Sequence, residues 1–350
     1  MAFVESVSIR TSIPITLSVS LKLAKLEQTV AVEATSTLID PEQPGSVDQV
    51  GSSYIQHRLG SVPGRSLQDL VNSSRDGSTK ATLCFIREAP EYQTQFVVDG
   101  VPLTDNRSPS FGPEIEAEDV QSLSIYTAGI PAEYGRKMGG VVEVNTVRDS
   151  QPGFHGDVAL AGGTFATGSA FAEGQYTAGR NTVGGTVSGS MTDHYLNPVV
   201  PQNYSNTGTL GDFSLRFERD LTPNDRLSLS VRHELSRYDI PNEQVQQAAG
   251  QRQTADNVES MGIASYEHTF SPNALARLSG MLRDNANDFN SNQESTPMEV
   301  FQHNHFREGY FKALVVADRG RSEWKAGVES DNTCPSRRHE LRDHRSNAVR

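Results

Sequence analysis

The sequence has few cysteines and no long apolar run, and each of these absences excludes a class of protein. Cys84 and Cys334 lie far apart in the 350 residues, so neither a disulfide scaffold nor a zinc-type CxxC pair is indicated. No segment reaches the ~18 consecutive apolar residues of a membrane-spanning helix. Met1–Leu26 alternates Val, Ser and Thr where a secretory signal needs a continuous apolar block, so no export signal is predicted.

Positive charge is also in short supply. The chain has 31 Lys and Arg against 43 Asp and Glu, a formal net charge of −12. A protein that binds the phosphate backbone of nucleic acid normally carries a basic face, so this class is excluded. The 35% hydrophobic content is sufficient for two ordinary folded domains.

Motifs for common catalytic chemistry are missing as well. The sequence contains no GxxxxGK[ST] and no GxGxxG, so it gives no support for nucleotide binding. Ser66, Ser122 and Ser124 do not lie in a G-x-S-x-G elbow, so a hydrolase nucleophile has no support. We therefore predict no enzyme activity, no cofactor and no metal site.

The first part of the chain changes pattern twice. Val7–Val32 alternates apolar and polar residues, which predicts short strands, and Ala34–Ser46 is rich in Thr, Ser, Pro and Gly, as is typical of a linker. Val50–Val71 then has helical spacing. It predicts one short helix with Tyr54, Ile55 and Leu59 on one face, and a second with Leu67, Leu70 and Val71.

Residues Tyr92–Asn145 carry the most informative pattern. An apolar strand at Phe96–Val98 runs into Asp99-Gly100, a turn dipeptide that favours positive φ, and then into VPL. A second strand, DVQSLSIY, leads to AEYGRKMGG and a third strand at Val141–Asn145. The residues to which we assign a structural role in this motif are Asp99, Gly100, Pro102, Tyr134, Gly135, Arg136, Gly139 and Gly140.

This ordered set of motifs resembles the plug domain of TonB-dependent outer-membrane receptors. The resemblance covers about residues 20–332 and is strongest over 92–146. It implies an α/β plug followed by an antiparallel transmembrane β-barrel, a location in the outer membrane, and contact with outer-membrane lipid. It also implies energised uptake of a scarce ligand, such as an oligosaccharide or siderophore, with the inner-membrane TonB complex as partner.

Gly156–Glu329 consists of alternating segments separated by two kinds of break. Short breaks (177–181, 222–225, 271–274 and 318–321) alternate with long polar ones (194–208, 238–257 and 288–302). This arrangement is typical of the turns and loops of an outer-membrane barrel. On pattern alone, a soluble β-sandwich with an alternating inner face remains equally open. The resemblance of the preceding motif favours the barrel.

Aromatic residues near segment ends predict an interfacial girdle, formed by Tyr266, Phe270, Tyr310, Phe311 and Trp324. With the resemblance, we divide the chain into the end of a sandwich-like domain similar to carboxypeptidase regulatory domains (1–33), a linker (34–48), a plug (49–149), a partial barrel (150–332) and an atypical tail (333–350).

The predicted barrel has about nine strands, whereas plugged transporters have about 22. An open sheet leaves backbone groups that lipid cannot hydrate, so this chain by itself is not expected to close a barrel. Ser74–Ala89 and Thr333–Arg350 fit their surroundings badly. We therefore expect a truncated or frameshifted fragment.

Three further groups of residues have competing interpretations. The acidic run Glu114–Asp119 is interpreted as a solvated loop rather than paired catalytic carboxylates. His303 and His305 are interpreted as a pair facing the lumen rather than metal ligands. Arg136 and Lys137 are predicted to pair with inward-facing acids, namely Glu218 or Glu234.

Two functions from different classes follow. The first is a TonB-dependent receptor. The second is a soluble or surface β-rich binding or adhesion module, which would bury the apolar side of its strands.

Overall fold

The structure is a computed structural model, and it describes residues 47–51, 54–55, 67, 70–71, 94–103, 115, 117–130, 134, 139–148, 151–319 and 322–343. The chain divides into two compact units, Met1–Asp40 and Pro41–Arg350. The first unit lies outside the described residues, and so do the sandwich end predicted at 1–33 and most of the linker predicted at 34–48.

A small mixed sheet comes first along the described chain. Its strands are β1 (Val47–Gly51), β2 (Thr94–Val98), β3 (Val101–Leu103), β4 (Val120–Tyr126) and β5 (Gly140–Thr146), in the spatial order β1-β4-β5-β2-β3. β2 pairs with β5 in parallel, and the other described pairs are antiparallel. The strands are rich in Val and Ile, whose branched side chains pack well on a pleated surface.

This sheet is covered on both faces, because all residues of β2 and all residues of β5 except Asn145 are buried. Val98 and Val142 belong to a core that includes helical residues Leu67, Leu70 and Val71, whereas Val97 and Val141 pack with Tyr134. Ile55 is buried but Tyr54 is 46% exposed, so the prediction that both share one helical face is wrong. Consecutive helical residues point about 100° apart, and here only one of the two reaches the core.

The second sheet contains ten described strands. They are β6 (Gly153–His155), β7 (Val158–Gly162), β8 (Gly168–Ala178), β9 (Asn181–Thr192), β10 (Gly208–Thr222), β11 (Asp225–Asp239), β12 (Gln253–Ser271), β13 (Ala274–Ser291), β14 (Met298–Arg319) and β15 (Ser322–Asp343). Each pairs antiparallel with its neighbour in sequence from β8 to β15, and β6 and β7 both pair with β8.

The connections between these strands fall in the breaks that the sequence pattern predicts. Tight turns join β8 to β9, β10 to β11 and β12 to β13, whereas β9–β10, β11–β12 and β13–β14 are joined by long loops. The loop between β11 and β12 contains a short helix, α1 (Gln244–Ala248). The first and last strands of the sheet do not pair with each other within the described residues, so the barrel is open there.

Burial in the second sheet is the reverse of that in a water-soluble protein. Leu282, Val231 and Leu215 point outward and are 76%, 56% and 49% exposed. On the opposite side of the sheet, Arg232 and Glu308 are buried. The sheet therefore has an apolar outer face and a polar inner face, as lipid-embedded barrels do. The predicted fold class, a plug followed by an incomplete antiparallel barrel, is confirmed.

The last strand extends past the boundary predicted at residue 332. β15 pairs with β14 as far as Asp343, with Pro335 opposite Phe306. Backbone pairing does not require an alternating sequence, and a proline is tolerated here because β15 is an edge strand. The loss of alternation after Asn332 therefore does not mark the end of the sheet.

The aromatic residues divide between the two faces. Phe270, Phe311 and Trp324 are 61%, 49% and 69% exposed on the outer face, whereas Tyr310 is 4% exposed and packs in the plug core cluster. Tyr310 was wrongly predicted to belong to an interfacial girdle. Adjacent strand residues point to opposite faces, so Tyr310 and Phe311 cannot share one role. None of the helices in the described ranges is long and apolar enough to cross a membrane.

Candidate functional site: the contact between plug and wall

The two sheets meet at a cluster of charged side chains centred on the Asp99-Gly100 turn. Asp99 has a φ of 49° and Gly100 a φ of 83°, so both residues of the β2–β3 turn adopt the left-handed conformation. The Asp99 carboxylate accepts hydrogen bonds from the backbone N–H and the hydroxyl of Thr146, at 3.1 and 2.9 Å. The turn is thereby fixed to the end of β5.

Arg148 connects this turn to the wall. Its guanidinium lies 3.1 Å from Asp99 Oδ1 and 3.6 Å from Glu218 Oε1 on β10. Arg216, also on β10, donates a hydrogen bond to the carbonyl oxygen of Val147. The chain segment that leaves the plug is therefore held by two neighbouring inward-facing side chains of one strand.

A second ion-pair group surrounds Arg232 on β11. Arg232 contacts Asp119, which follows the short 3-10 turn Ala117–Asp119, and it also lies 3.5 Å from Asp212 and 3.8 Å from Glu234. All four side chains are at most 8% exposed. Three buried carboxylates therefore share contact with one buried guanidinium group. The removal of one partner from such a group is strongly destabilising, by about 3–5 kcal/mol.

The two plug carboxylates respond oppositely to these surroundings. Burial raises the pKa of Asp99, but Arg148, Arg216 and the hydrogen bonds from Thr146 outweigh it, and the pKa lies below the ordinary 3.8. Burial also raises the pKa of Asp119 and here prevails over the attraction of Arg232, so the pKa lies above 3.8. Arg232 is shared with two other carboxylates, which is consistent with this difference.

Two further wall residues contact the predicted plug motif. Arg277 on β13 donates a hydrogen bond of 3.2 Å to the Asp99 carbonyl oxygen. A Cβ placed on Gly100 would lie 3.4 Å from Arg277 Nη1. Lys312 on β14 lies over the ring of Tyr134, with 5.7 Å between its Nζ and the ring centroid. Both contacts join the plug to strands distant from β10 and β11.

The predicted motif residues are only partly brought together. Asp99 and Gly100 lie at the wall, Pro102 lies in β3, and Tyr134, Gly139 and Gly140 are buried within the plug. Gly135 and Arg136 fall outside the described residues, and so does Lys137, so their predicted pairing with Glu218 or Glu234 stays a prediction. The structure shows Glu218 near Arg148 and Glu234 near Arg232.

Sequence reasoning missed the main residue of this site. The sequence predicts a solvated loop that includes Asp119, and this prediction is wrong for Asp119, which is 1% exposed and paired with Arg232. The available signal was Arg232 itself, an arginine on the polar side of an alternating strand. Such a residue faces the interior of a barrel and needs a carboxylate partner there.

The histidine pair was also placed on the wrong face. His303 and His305 point outward, where His303 lies 3.0 Å from Asp288 and His305 lies 3.0 Å from Asp284. The residues that point inward are their neighbours Asn304 and Phe306. Over the part of the chain that the structure describes, no group of three or more His, Cys, Asp or Glu is suited to hold a metal ion.

Comparison with known proteins gives a consistent result. Residues 40–141 match the family model "TonB-dependent Receptor Plug Domain". A search of the curated proteins found no match to the chain.

Solved structures of outer-membrane receptors share the fold. The ferric citrate transporter FecA in the unliganded form has a TM-score of 0.69 at 11% identity, and the match covers 87% of this chain and 49% of the FecA chain. The siderophore receptor PiuA from Acinetobacter baumannii has a TM-score of 0.61 at 11% identity, and the match covers 88% of this chain and 49% of the PiuA chain. The ferripyoverdine receptor of Pseudomonas aeruginosa has a TM-score of 0.57 at 9% identity, and the match covers 70% of this chain and 36% of the receptor chain.

The chain thus spans about half or less of the length of these receptors. Its fold is that of a plugged outer-membrane barrel, with a plug domain joined to a run of barrel strands. More particularly, residues 40–141 match the plug domain of TonB-dependent receptors.

Proposed function

We propose that the chain acts in the outer membrane as a TonB-dependent receptor that imports a scarce ligand, such as an oligosaccharide or siderophore. By this proposal, the inner-membrane TonB complex supplies energy through the plug, and the plug rearranges to let the ligand pass. Support for this partner and location comes from the plug-domain match and from the fold shared with outer-membrane receptors.

The observation that carries the proposal is the reversed polarity of the second sheet. Its apolar side chains face outward, and its buried ionic side chains, such as Arg232, face a plug that matches a receptor family. Contiguous apolar surface of this extent is costly in water but favourable in lipid. A soluble binding or adhesion module would require the opposite arrangement, so the structure favours the receptor.

The contact between plug and wall is suited to a plug that is held inside the barrel and then released from its wall. Among the described residues, the wall contributes Met261, Ile263, Met281 and Tyr310 to the apolar core of the plug. The described contact also includes ion pairs, through Arg148 and the Arg232 group. Ion pairs can be replaced one at a time by water as a plug shifts, whereas an apolar interface loses its burial outright.

The single tryptophan of the chain provides a direct test of the membrane-facing surface. Trp324 lies on the outer face of β15 opposite Ala317 and is 69% exposed. In vesicles of lipids brominated along their acyl chains, we expect strong quenching of Trp324 fluorescence. Bromines near the headgroups should quench it more than bromines at mid-chain, because Trp324 lies near the beginning of β15, where we expect the edge of the apolar belt.

A matched variant checks the depth assignment. Phe311 also faces outward and lies along β14 from Ala317 by about 20 Å, at ~3.3 Å per residue. In the double variant Trp324→Phe, Phe311→Trp, mid-chain bromines should become the stronger quenchers. If neither tryptophan is quenched by brominated lipid, the membrane-embedded arrangement is wrong and the receptor proposal fails with it. The proposed partner is tested separately, by co-purification of the chain with the periplasmic domain of TonB.

A further inference from the structure

We propose that Tyr195 is a latch that holds the three long loops, as one lid, against the inner face of the wall. These are loop 1 between β9 and β10 (residues 193–207), loop 2 between β11 and β12 (240–252) and loop 3 between β13 and β14 (292–297). The role of the lid, control of ligand entry, rests on the proposed import function. The latch itself is tested with no ligand present.

Tyr195 of loop 1 lies on the inner face of the wall. Gly208 and Ala255 each pair with Tyr238 of β11. Tyr238 and Arg232 lie six residues apart on this strand and so point to the same side, where Arg232 contacts the plug. A Cβ added to Gly208 would lie 2.4 Å from the Tyr195 ring, so the ring fills the space of a side chain at residue 208. Loop 1 therefore folds inward over the wall.

The ring of Tyr195 is held there by aromatic and apolar contacts. It stacks on Tyr238, with 5.0 Å between the ring centroids and 27° between the planes, and both rings form a cluster with Ala255. Leu196 of loop 1 and Ile240 of loop 2 pack against this cluster. Tyr195 is 2% exposed, so withdrawal of its ring would return apolar surface to water. The latch thus joins loop 1 to the wall and to the beginning of loop 2.

Asn206 fixes the backbone beside the latch. Its side-chain oxygen accepts a 2.7 Å hydrogen bond from the Leu196 N–H, and its side-chain nitrogen donates one of 2.6 Å to the Leu196 carbonyl oxygen. The Asn206 carbonyl oxygen accepts a third, of 3.0 Å, from the Tyr195 N–H. Because these bonds join the two ends of loop 1, Tyr195 cannot leave Gly208 unless the loop moves as a whole.

Buried amides connect the three loops to each other. The N–H of Asn242 in loop 2 donates a 3.1 Å hydrogen bond to the Tyr204 carbonyl oxygen in loop 1, and the Asn242 side chain donates one of 2.7 Å to the Gln251 carbonyl oxygen. The Gln251 side chain donates one of 2.9 Å to Thr296 Oγ1 in loop 3. Asn242 is 3% and Gln251 6% exposed, so loss of these bonds is costly. We therefore expect the loops to open together.

The test is amide hydrogen exchange, followed by mass spectrometry, on the full chain in detergent micelles. Tyr195→Ala should accelerate exchange about one hundredfold or more in all three loops, the effect of removing a buried aromatic ring. Gly208→Ala should do the same with every loop residue unchanged, because the added methyl group displaces the ring. The controls are Val199→Ala, at a 64% exposed residue of loop 1, and Gly189→Ala, whose added Cβ has no neighbour closer than 3.9 Å.

Three results would overturn the inference. Acceleration confined to loop 1 would show that the loops do not form one lid. Exchange in the Tyr195 and Gly208 variants equal to that in the controls would show that Tyr195 is not a latch. Equal acceleration throughout β11 and β12 would show that Tyr195 supports the wall instead. Each of these results leaves the receptor proposal standing, because that proposal depends on the quenching of Trp324 by brominated lipid.

Discussion

Replacement of Arg232 by methionine should loosen the plug from the wall more than any other single change to the ion-pair cluster. Methionine keeps most of the side-chain length but removes the charge that Asp119, Asp212 and Glu234 share. All three carboxylates are buried, so the variant removes the Arg232 guanidinium from each of them without returning them to water. Loss of one partner of a buried ionic group costs about 3–5 kcal/mol.

This free energy converts into a measurable rate. If the plug opens and recloses quickly compared with cleavage, limited proteolysis reports the population of the open form. At about 1.4 kcal/mol per factor of ten, cleavage within the plug should accelerate by about one hundredfold to several thousandfold. The experiment uses the full chain in detergent micelles, and electrophoresis follows the loss of plug fragments.

Arg237→Met is the matched control. Arg237 lies on the same strand as Arg232, but its side chain is 68% exposed and 3.5 Å from Asp256. An exposed pair of this kind contributes about 0–1 kcal/mol, so its cleavage rate should change by less than about fivefold. Addition of Asp119→Asn to Arg232→Met should recover part of the loss, because it removes one of the stranded charges. Equal cleavage of the Arg232 and Arg237 variants would refute the reasoning.

Three other expectations concern the plug turn and the outer face. The pKa of Asp99 is lowered, so its ionised form stabilises the plug above pH 3.8 and this contribution is lost as the pH falls. The pKa of Asp119 is raised, so its protonated form stabilises the plug below pH 3.8 and this contribution is lost as the pH rises. In a profile of plug cleavage rate against pH, Asp99→Asn should therefore reduce the pH dependence on the acid side, and Asp119→Asn should reduce it on the side of rising pH. If both variants change the profile on the same side, the two assignments are wrong. Gly100→Ala should destabilise the plug by about 1–2 kcal/mol, because residue 100 has a φ of 83°. The control Gly51→Ala should have no such effect, because nothing lies within 4 Å of the added Cβ, and equal unfolding midpoints of the two variants in urea would show that the strain at residue 100 is absent. Leu282→Arg should reduce insertion into lipid vesicles by up to about 2–4 kcal/mol, and unchanged insertion in a flotation assay would show that the residue does not face lipid.

Local patterns in the sequence predicted many of the strands and their connections, but not β1 (Val47–Gly51), which lies where the sequence predicts the end of a linker and the start of helical spacing. The Asp99-Gly100 dipeptide predicted a turn with positive φ, and the structure has both residues in that conformation. The alternation of Phe213, Leu215 and Phe217 predicted a strand with one apolar face, and this strand is β10. Both signals act over a few residues, and backbone sterics and the two-residue repeat of a strand fix them locally.

Such local patterns could not predict which side chains pair when they are distant in the sequence. Asp119 looked like part of a solvated loop, because its partner Arg232 lies 113 residues later in the sequence. The outward position of His303 and His305 depended on the register of β14 against β13, which strand alternation alone does not reveal. A shift of one residue would have turned both histidines inward.

The sequence by itself determined that the chain has alternating antiparallel strands preceded by a receptor-type plug motif. It did not determine which side of those strands faces water, because a soluble sandwich and a membrane barrel share the same two-residue period. Only the tertiary structure decided this, by placing Leu282 and Val231 outside and Arg232 inside against the plug. The physical reason is that burial depends on what lies against each face of the sheet, and that is set by residues distant in the sequence.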